Sequence, residues 1–161
     1  MHDDRALIEG RIARDLNERL MPQMYSARHA LTVEAWEVPG EPVPFAEAVA
    51  AVYRPFSVGD HYGRPWGTTW FRVSGQVPAV WAGTPVELVV DLGFHPDSAG
   101  FQSEALVYTA DGQPVQGIHP RRTAVPIEST PGPFQMYIEA ASNPAFPSFR
   151  PSLLGRVDTA G

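Results

Sequence analysis

Three carboxylates on strand-like segments, Asp91, Glu104 and Glu139, are the groups in this 161-residue sequence best suited to acid–base work. Hydrolysis of a glycosidic bond needs two carboxyl groups set about 5–10 Å apart across the sugar, and these three are the ones to consider. Each fits equally well as a solvated or ion-paired strand residue. Glu104 lies between Gln102 and the apolar run 105–108, so it is expected to be partly enclosed, which suits a ligand or interface group. Trp66, Trp70 and Phe71, with Tyr62 nearby, form the densest aromatic cluster. Flat rings are what sugars stack on, although Trp is mostly buried in small β domains and alternation sends Trp70 and Phe71 to opposite faces.

The remaining chemistry is thin. His2, His29, His61, His95 and His119 show no HExxH or comparable ligand spacing. His95-Pro96-Asp97 has a His-x-Asp spacing that supplies two metal ligands, but no third is evident. His119-Pro120 with Arg121 and Arg122, and Asn143-Pro144, fall in polar turns at strand ends, where sandwiches commonly place a binding edge. The serines lie in no GxSxG context, and the glycines form neither GxGxxG nor a Walker pattern. Nucleophilic and nucleotide chemistry therefore have no support.

The elements that would position these groups read as mostly β. Seventeen Pro and 14 Gly interrupt the chain every few residues, which breaks helices and favours short strands, while 43% hydrophobic content allows one domain with a real core. Period-two patterns predict strands over 66–73, 85–92, 101–109, 114–118, 123–127 and 133–141, with a hairpin turn at Ala110-Asp111-Gly112. An earlier strand is expected around 31–36, and a helix of about two turns over 45–53. Six such strands suggest a sandwich or jelly roll. At the N-terminus, Ile8, Ile12, Leu16 and Leu20 recur every four residues behind a cap at Asp3 or Asp4, predicting an amphipathic helix that docks on this domain or a neighbouring one. The organisation expected is a helix over 1–21, an extended arm with a short helix over 22–65, a β core over 66–155 and a tail over 156–161. Strands 86–92 and 104–109 are apolar on both faces, so a helix or a partner must cover the outer one.

Net charge is −6 with no Lys/Arg run, which opposes nucleic-acid binding. No segment predicts a signal peptide or membrane span. The absence of cysteine excludes disulfides and thiolate chemistry and suits a cytoplasmic setting.

Several ordered blocks carry a resemblance: RPFSVGDHYGRPWGTTWFRVSGQVPAVWAG (54–83), VELVVDLG (86–93), GFQSEALVYTADGQPVQGIHPRRTAV (100–125) and MYIEAASNPAF (136–146). Together, over roughly residues 30–155, they resemble the N-terminal region of glycoside hydrolase family 38 α-mannosidases of the bacterial and cytosolic-like branch. The resemblance implies an all-β, galactose-binding-like sandwich with an N-terminal helix and one short helix, standing ahead of a zinc-dependent catalytic domain that removes α-linked mannose with retention. It implies no catalytic residue and no cofactor in this chain, the zinc ligands and nucleophile belonging to that further domain. Gln102, Glu104 and Gly117 fall in the block that resembles the family's E-x-L-V-Y…D-G-x-P-V-x-G stretch, a face expected to meet the catalytic domain. The expected role is ancillary, with a free carbohydrate-binding module as the alternative. Gln102, Glu104, Trp66, Trp70, His119, Arg121 and Asn143 are the candidate sugar or interface residues, and the expected partners are the catalytic domain, a mannose-containing saccharide and a second copy of the chain.

Overall fold

The computed structural model describes residues 4–95 and 102–143. Among the described residues two α-helices and eight strands follow in the order α1 (Arg5–Asp15), β1 (Thr32–Glu37), α2 (Phe45–Ala48), β2 (Arg54–Pro55), β3 (Thr68–Val77), β4 (Val86–Val89), β5 (Glu104–Thr109), β6 (Pro114–Ile118), β7 (Ala124–Ile127) and β8 (Gly132–Ala141). All pairing between strands is antiparallel, in a six-stranded sheet of order β2-β1-β3-β8-β5-β6 and a two-stranded sheet of β4 with β7. Prolines within strands keep to positions paired on one side only, including Pro133, where β8 has β3 but not yet β5 beside it. Pro55 and Pro114 lie on the two edge strands β2 and β6, and Pro126 lies on β7, which has a partner on one side only.

The two sheets close on one core. Val33 of β1, Phe71 and Val73 of β3, Met136, Ile138 and Ala140 of β8, Val107 of β5 and Ile118 of β6 face Leu88, Val90 and Leu92 of the β4 segment and Val125 of β7. Alternation assigns Phe71 to this face and its neighbour Trp70 to the other, as the sequence predicts. The other face of the six-stranded sheet is buried as well. The arm that follows β1 folds back over it, so that Val38, Ala48 and Tyr53 pack with Trp70 and Tyr137. The Phe45 ring sits edge-on to Trp70 and Tyr137 and tilted against Tyr108. The second apolar face of β5 thus meets the chain's own arm at Tyr108, the helix-covered alternative of the two that its pattern allows.

Two local devices fix the arm. Glu34 and Arg72 stand opposite each other on β1 and β3 and form a two-pronged ion pair at 2.7 and 2.9 Å, with the guanidinium 4.8 Å over the Tyr53 ring. Gly112, at φ +89 in the β5–β6 hairpin, leaves room for Phe45, since a Cβ there would lie 2.7 Å from the ring. The hairpin falls where Ala110-Asp111-Gly112 predicts it, closed by the Thr109 N–H on the Gln113 carbonyl.

Two expectations are corrected, the length of the second helix and the place of Pro22, and two are narrowed, the cap and the docking of the first helix. The helix over 45–53 shrinks to Phe45–Ala48, after which bonds from Ala50 to Glu47 and from Ala51 to Ala48 tighten the chain into turns ahead of Tyr53. Asp4 stands at the N-cap of α1 but its side chain makes no capping bond. The helix then passes through a π turn (Leu16–Leu20) and a 3₁₀ turn (Met21–Gln23), so Pro22 lies inside the helical stretch instead of after it. Its apolar stripe does not dock on the described part of this domain: Ile8, Ile12, Leu16 and Leu20 are each between 45% and 64% exposed.

Burial leaves a mark on the phenols. Tyr53, Tyr62 and Tyr108 are each pushed up to about 12, first by desolvation, with Glu139 accepting the Tyr108 hydroxyl at 3.0 Å as a further cause. In the unfolded chain these groups ionise near their ordinary 10.0. Their contribution to stability is therefore complete below about pH 10 and is lost as pH rises towards 12. We expect tyrosinate absorbance to appear late and together with loss of far-ultraviolet structure in an alkaline titration. Trp70 buries its indole completely but leaves its N–H without a hydrogen-bond partner. Trp70→Ala should then cost about 3–5 kcal/mol in urea unfolding, and Trp70→Phe distinctly less, because the phenyl ring keeps much of the packing and removes the orphan donor.

Candidate functional site

One end of the six-stranded sheet gathers most of the residues singled out by sequence. Thr68 opens β3 opposite Ala141 at the close of β8, Ala141 in turn faces Glu104 at the start of β5, and Ala105 faces Ile118 at the end of β6. Trp66, Asn143, Gln102, Glu104 and His119 therefore lie within two residues of a single strand end. Arg121 stands beside them in the turn from β6 to β7, closed by the Arg122 N–H on the His119 carbonyl at 2.8 Å, while the Arg121 N–H reaches His119 Nδ1 at 3.4 Å. Trp70 does not belong to this group. It is two residues too far along β3 and fully buried in the arm-side core, so it presents no face to a ligand.

Each member is held differently. Gln102 is buried, its amide bridging the backbone of His95, with Oε1 accepting from the His95 N–H at 2.5 Å and Nε2 donating to its carbonyl at 3.2 Å. Asn143 donates to the Gln102 carbonyl at 3.2 Å and so ties the end of β8 to the start of β5. Glu104 is exposed, contrary to the enclosure that its apolar flank suggests, because its side chain falls on the outer face of β5 beyond the reach of the arm. Of the His-x-Asp spacing at 95–97, Pro96 and Asp97 lie outside the described residues.

Trp66 is the anomaly of the site. It is 70% exposed and holds φ +63, the one non-glycine residue with positive φ among the described residues. Pro65 precedes it and the Gly67 N–H bonds the Arg64 carbonyl at 2.9 Å, the pattern of a type II turn whose third position ordinarily takes Gly or Asn. Reciprocal bonds pin this turn to β8: the Trp66 N–H donates to the Ser142 carbonyl and the Ser142 N–H to the Gly67 carbonyl. A large side chain kept in the left-handed region costs about 1–2 kcal/mol and shows its ring to solvent.

Asp91 and Glu139 each have partners of their own. Asp91 accepts the Gly93 and Phe94 N–H groups at 2.9 and 3.1 Å and serves the turn after β4 in the second layer. Glu139, on β8 opposite Leu106, is engaged by Tyr108. Among the described residues no three His, Asp or Glu side chains are grouped to hold a metal ion.

Sequence reasoning missed a second feature, a cleft of about 470 Å³ between the arm ahead of β1 and the β4 segment, bordered by Tyr25, Arg28, His29, Trp81 and Glu87. No local pattern signals it, since it depends on a hydrogen bond between Tyr25 and Glu87, 62 positions apart.

Comparison with known proteins agrees with this architecture. A family model described as the jelly roll domain of α-mannosidase matches residues 28–158. Alpha-mannosidase 2C1 from Homo sapiens is 32% identical over 125 residues, covering 73% of this chain and 11% of the human protein. Alpha-mannosidase 2C1 from Mus musculus is 29% identical over 146 residues, covering 86% of this chain and 13% of the mouse protein. The chain thus spans about a tenth of the length of these curated relatives. With the sandwich and the ordered match over most of its length, the chain belongs to the α-mannosidase jelly roll domain family.

Proposed function

We propose that this domain is the non-catalytic, ancillary part of a family 38 glycoside hydrolase acting on α-linked mannose, and that its sheet end packs against the zinc-dependent catalytic domain of that enzyme. The observation that carries the reading is Trp66, an indole 70% exposed and held at φ +63 where the backbone pays for it. A domain standing alone gains nothing from that expense, whereas a buried tryptophan is a common anchor of an interface. Asn143, Glu104, His119 and Arg121 continue from it along the same sheet end and supply the polar groups such a contact needs. The exposed stripe of α1 supports a further assembly contact. Zinc would be held outside this chain's described residues, whose histidines and carboxylates are dispersed. The lack of cysteine favours the cytoplasm as the place of action.

Two measurements test the reading. The 161-residue chain, supplied with zinc and an aryl α-mannoside, should show no turnover, and zinc-dependent hydrolysis would overturn it. Trp66→Ala should lower the thermal stability of the full α-mannosidase polypeptide that carries this domain, by about 2 kcal/mol at the interface. In the isolated chain Trp66→Asn should leave stability unchanged or raise it by up to about 1 kcal/mol, because Asn tolerates the left-handed turn position. Equal destabilisation of the isolated chain and the full polypeptide would show that Trp66 serves the fold alone.

A further inference from the structure

We propose that the cleft between the arm and β4 is a saccharide-binding site that takes a mannopyranoside through the Trp81 ring and the polar groups of Arg28, Tyr25 and Glu87. The choice of mannose among sugars rests on the function proposed above, while the site itself rests on geometry. The cleft, about 470 Å³, lies within the size range of small-molecule sites and is lined by the β4 segment together with Gln76, Val77 and Phe134, at the opposite end of the β3–β8 ladder from the sheet end.

Its parts match what a pyranose presents. Trp81 ends a 3₁₀ turn (Ala79–Trp81) whose last carbonyl accepts both the Thr84 hydroxyl at 2.6 Å and the Thr84 N–H at 2.9 Å. His29 meets the indole edge-on, with ring centroids 6.5 Å apart. The ring is therefore oriented before any ligand arrives, and it remains partly exposed in the cleft. Such a platform receives the apolar C–H face of a sugar. Across from it, the Tyr25 hydroxyl donates to Glu87 at 2.8 Å and anchors the arm to β4. Burial first, then Glu87, pushes this phenol up to about 12, so it stays a neutral hydroxyl at physiological pH. Glu87 is exposed and keeps acceptor capacity beyond that one bond. Arg28 lines the same cleft, near enough to Tyr25 to act on it electrostatically, and among the described residues it makes no ion pair. A carboxylate and a guanidinium lining one cleft serve the acceptor and donor sides of vicinal hydroxyls, and their opposite charges suit a neutral ligand better than a phosphate.

Titration of the 161-residue chain with methyl α-mannoside and with α-linked mannobiose, followed by tryptophan fluorescence and calorimetry, decides the matter. Saturable binding is expected, with Kd on the order of millimolar for the monosaccharide. Trp81→Ala should weaken it by about tenfold or more, and Glu87→Gln by about fivefold. Glu87 is exposed, so its variant keeps the test open if Trp81→Ala fails to fold by circular dichroism. Val52→Ala, at an exposed position remote from the cleft, should bind as the parent chain does. No saturable signal up to about 50 mM sugar, or affinity unchanged in the Glu87 and Trp81 variants, would overturn the site, and loss of binding in Trp66→Ala instead would move it to the sheet end. Binding at the cleft to methyl α-glucoside but not to the mannoside would refute the ligand assigned. Because assembly is read from Trp66 in the full polypeptide, either result there leaves this outcome independent.

Discussion

The ten-pair antiparallel ladder between β3 and β8 is the constraint on which the rest of the molecule rests. Thr68 to Val77 run against Ala141 to Gly132 without a break, at the centre of the larger sheet. Because successive side chains point to opposite faces, this register sends Phe71, Val73, Met136 and Ile138 to one core and Trp70 and Tyr137 to the other. A slip by one residue would exchange the two sets and place Arg72 and Glu139 in the inter-sheet core. β1 and β5 add to either side of the ladder and inherit its register, so both cores and the sheet end are defined by a single pairing.

Burial on both faces explains why the central strands lack the polar side expected of a sandwich. The arm between β1 and β2 works as a third layer, seated by Phe45 against Gly112 and by Tyr53 beneath Arg72. The Glu34–Arg72 pair is only partly buried, and Arg72, by donating to Glu34, holds that carboxyl below the ordinary carboxylate range. This places the charges where the arm needs an anchor and the solvent still hydrates them, a less costly arrangement than a fully buried pair.

Most of the candidate residues sit where the ladder ends. Strand ends carry the turns, and here the turn before β3, the exit of β8 and the entry of β5 are knotted by backbone bonds and by the amides of Gln102 and Asn143. That rigid seat is what allows Trp66 to stand exposed in a left-handed conformation. The cleft at Trp81 lies at the other end of the same ladder, where Gln76, Val77 and Phe134 meet the β4 segment and the chain that leads from α1. The two features therefore occupy opposite ends of one pairing.

Sequence by itself determined the class of fold, seven of the eight strands, the hairpin at Ala110-Asp111-Gly112, the opposite facing of Trp70 and Phe71, and the family. Period-two patterning and turn chemistry are local, and ordered blocks of residues survive as a signature without any coordinates. The two-residue strand β2 escaped, being too short to show a period, and the length of α2 was overread because alanine content measures propensity and not where the chain must turn to deliver Tyr53. Only the tertiary structure decided which face of each strand is covered and by what. It buried Trp70, exposed Glu104 and Trp66, left the stripe of α1 in solvent, and joined Tyr25 to Glu87. Those outcomes depend on contacts between residues far apart in sequence, and the free energy of such contacts is fixed by packing and desolvation at the meeting point, which no local window of residue types contains.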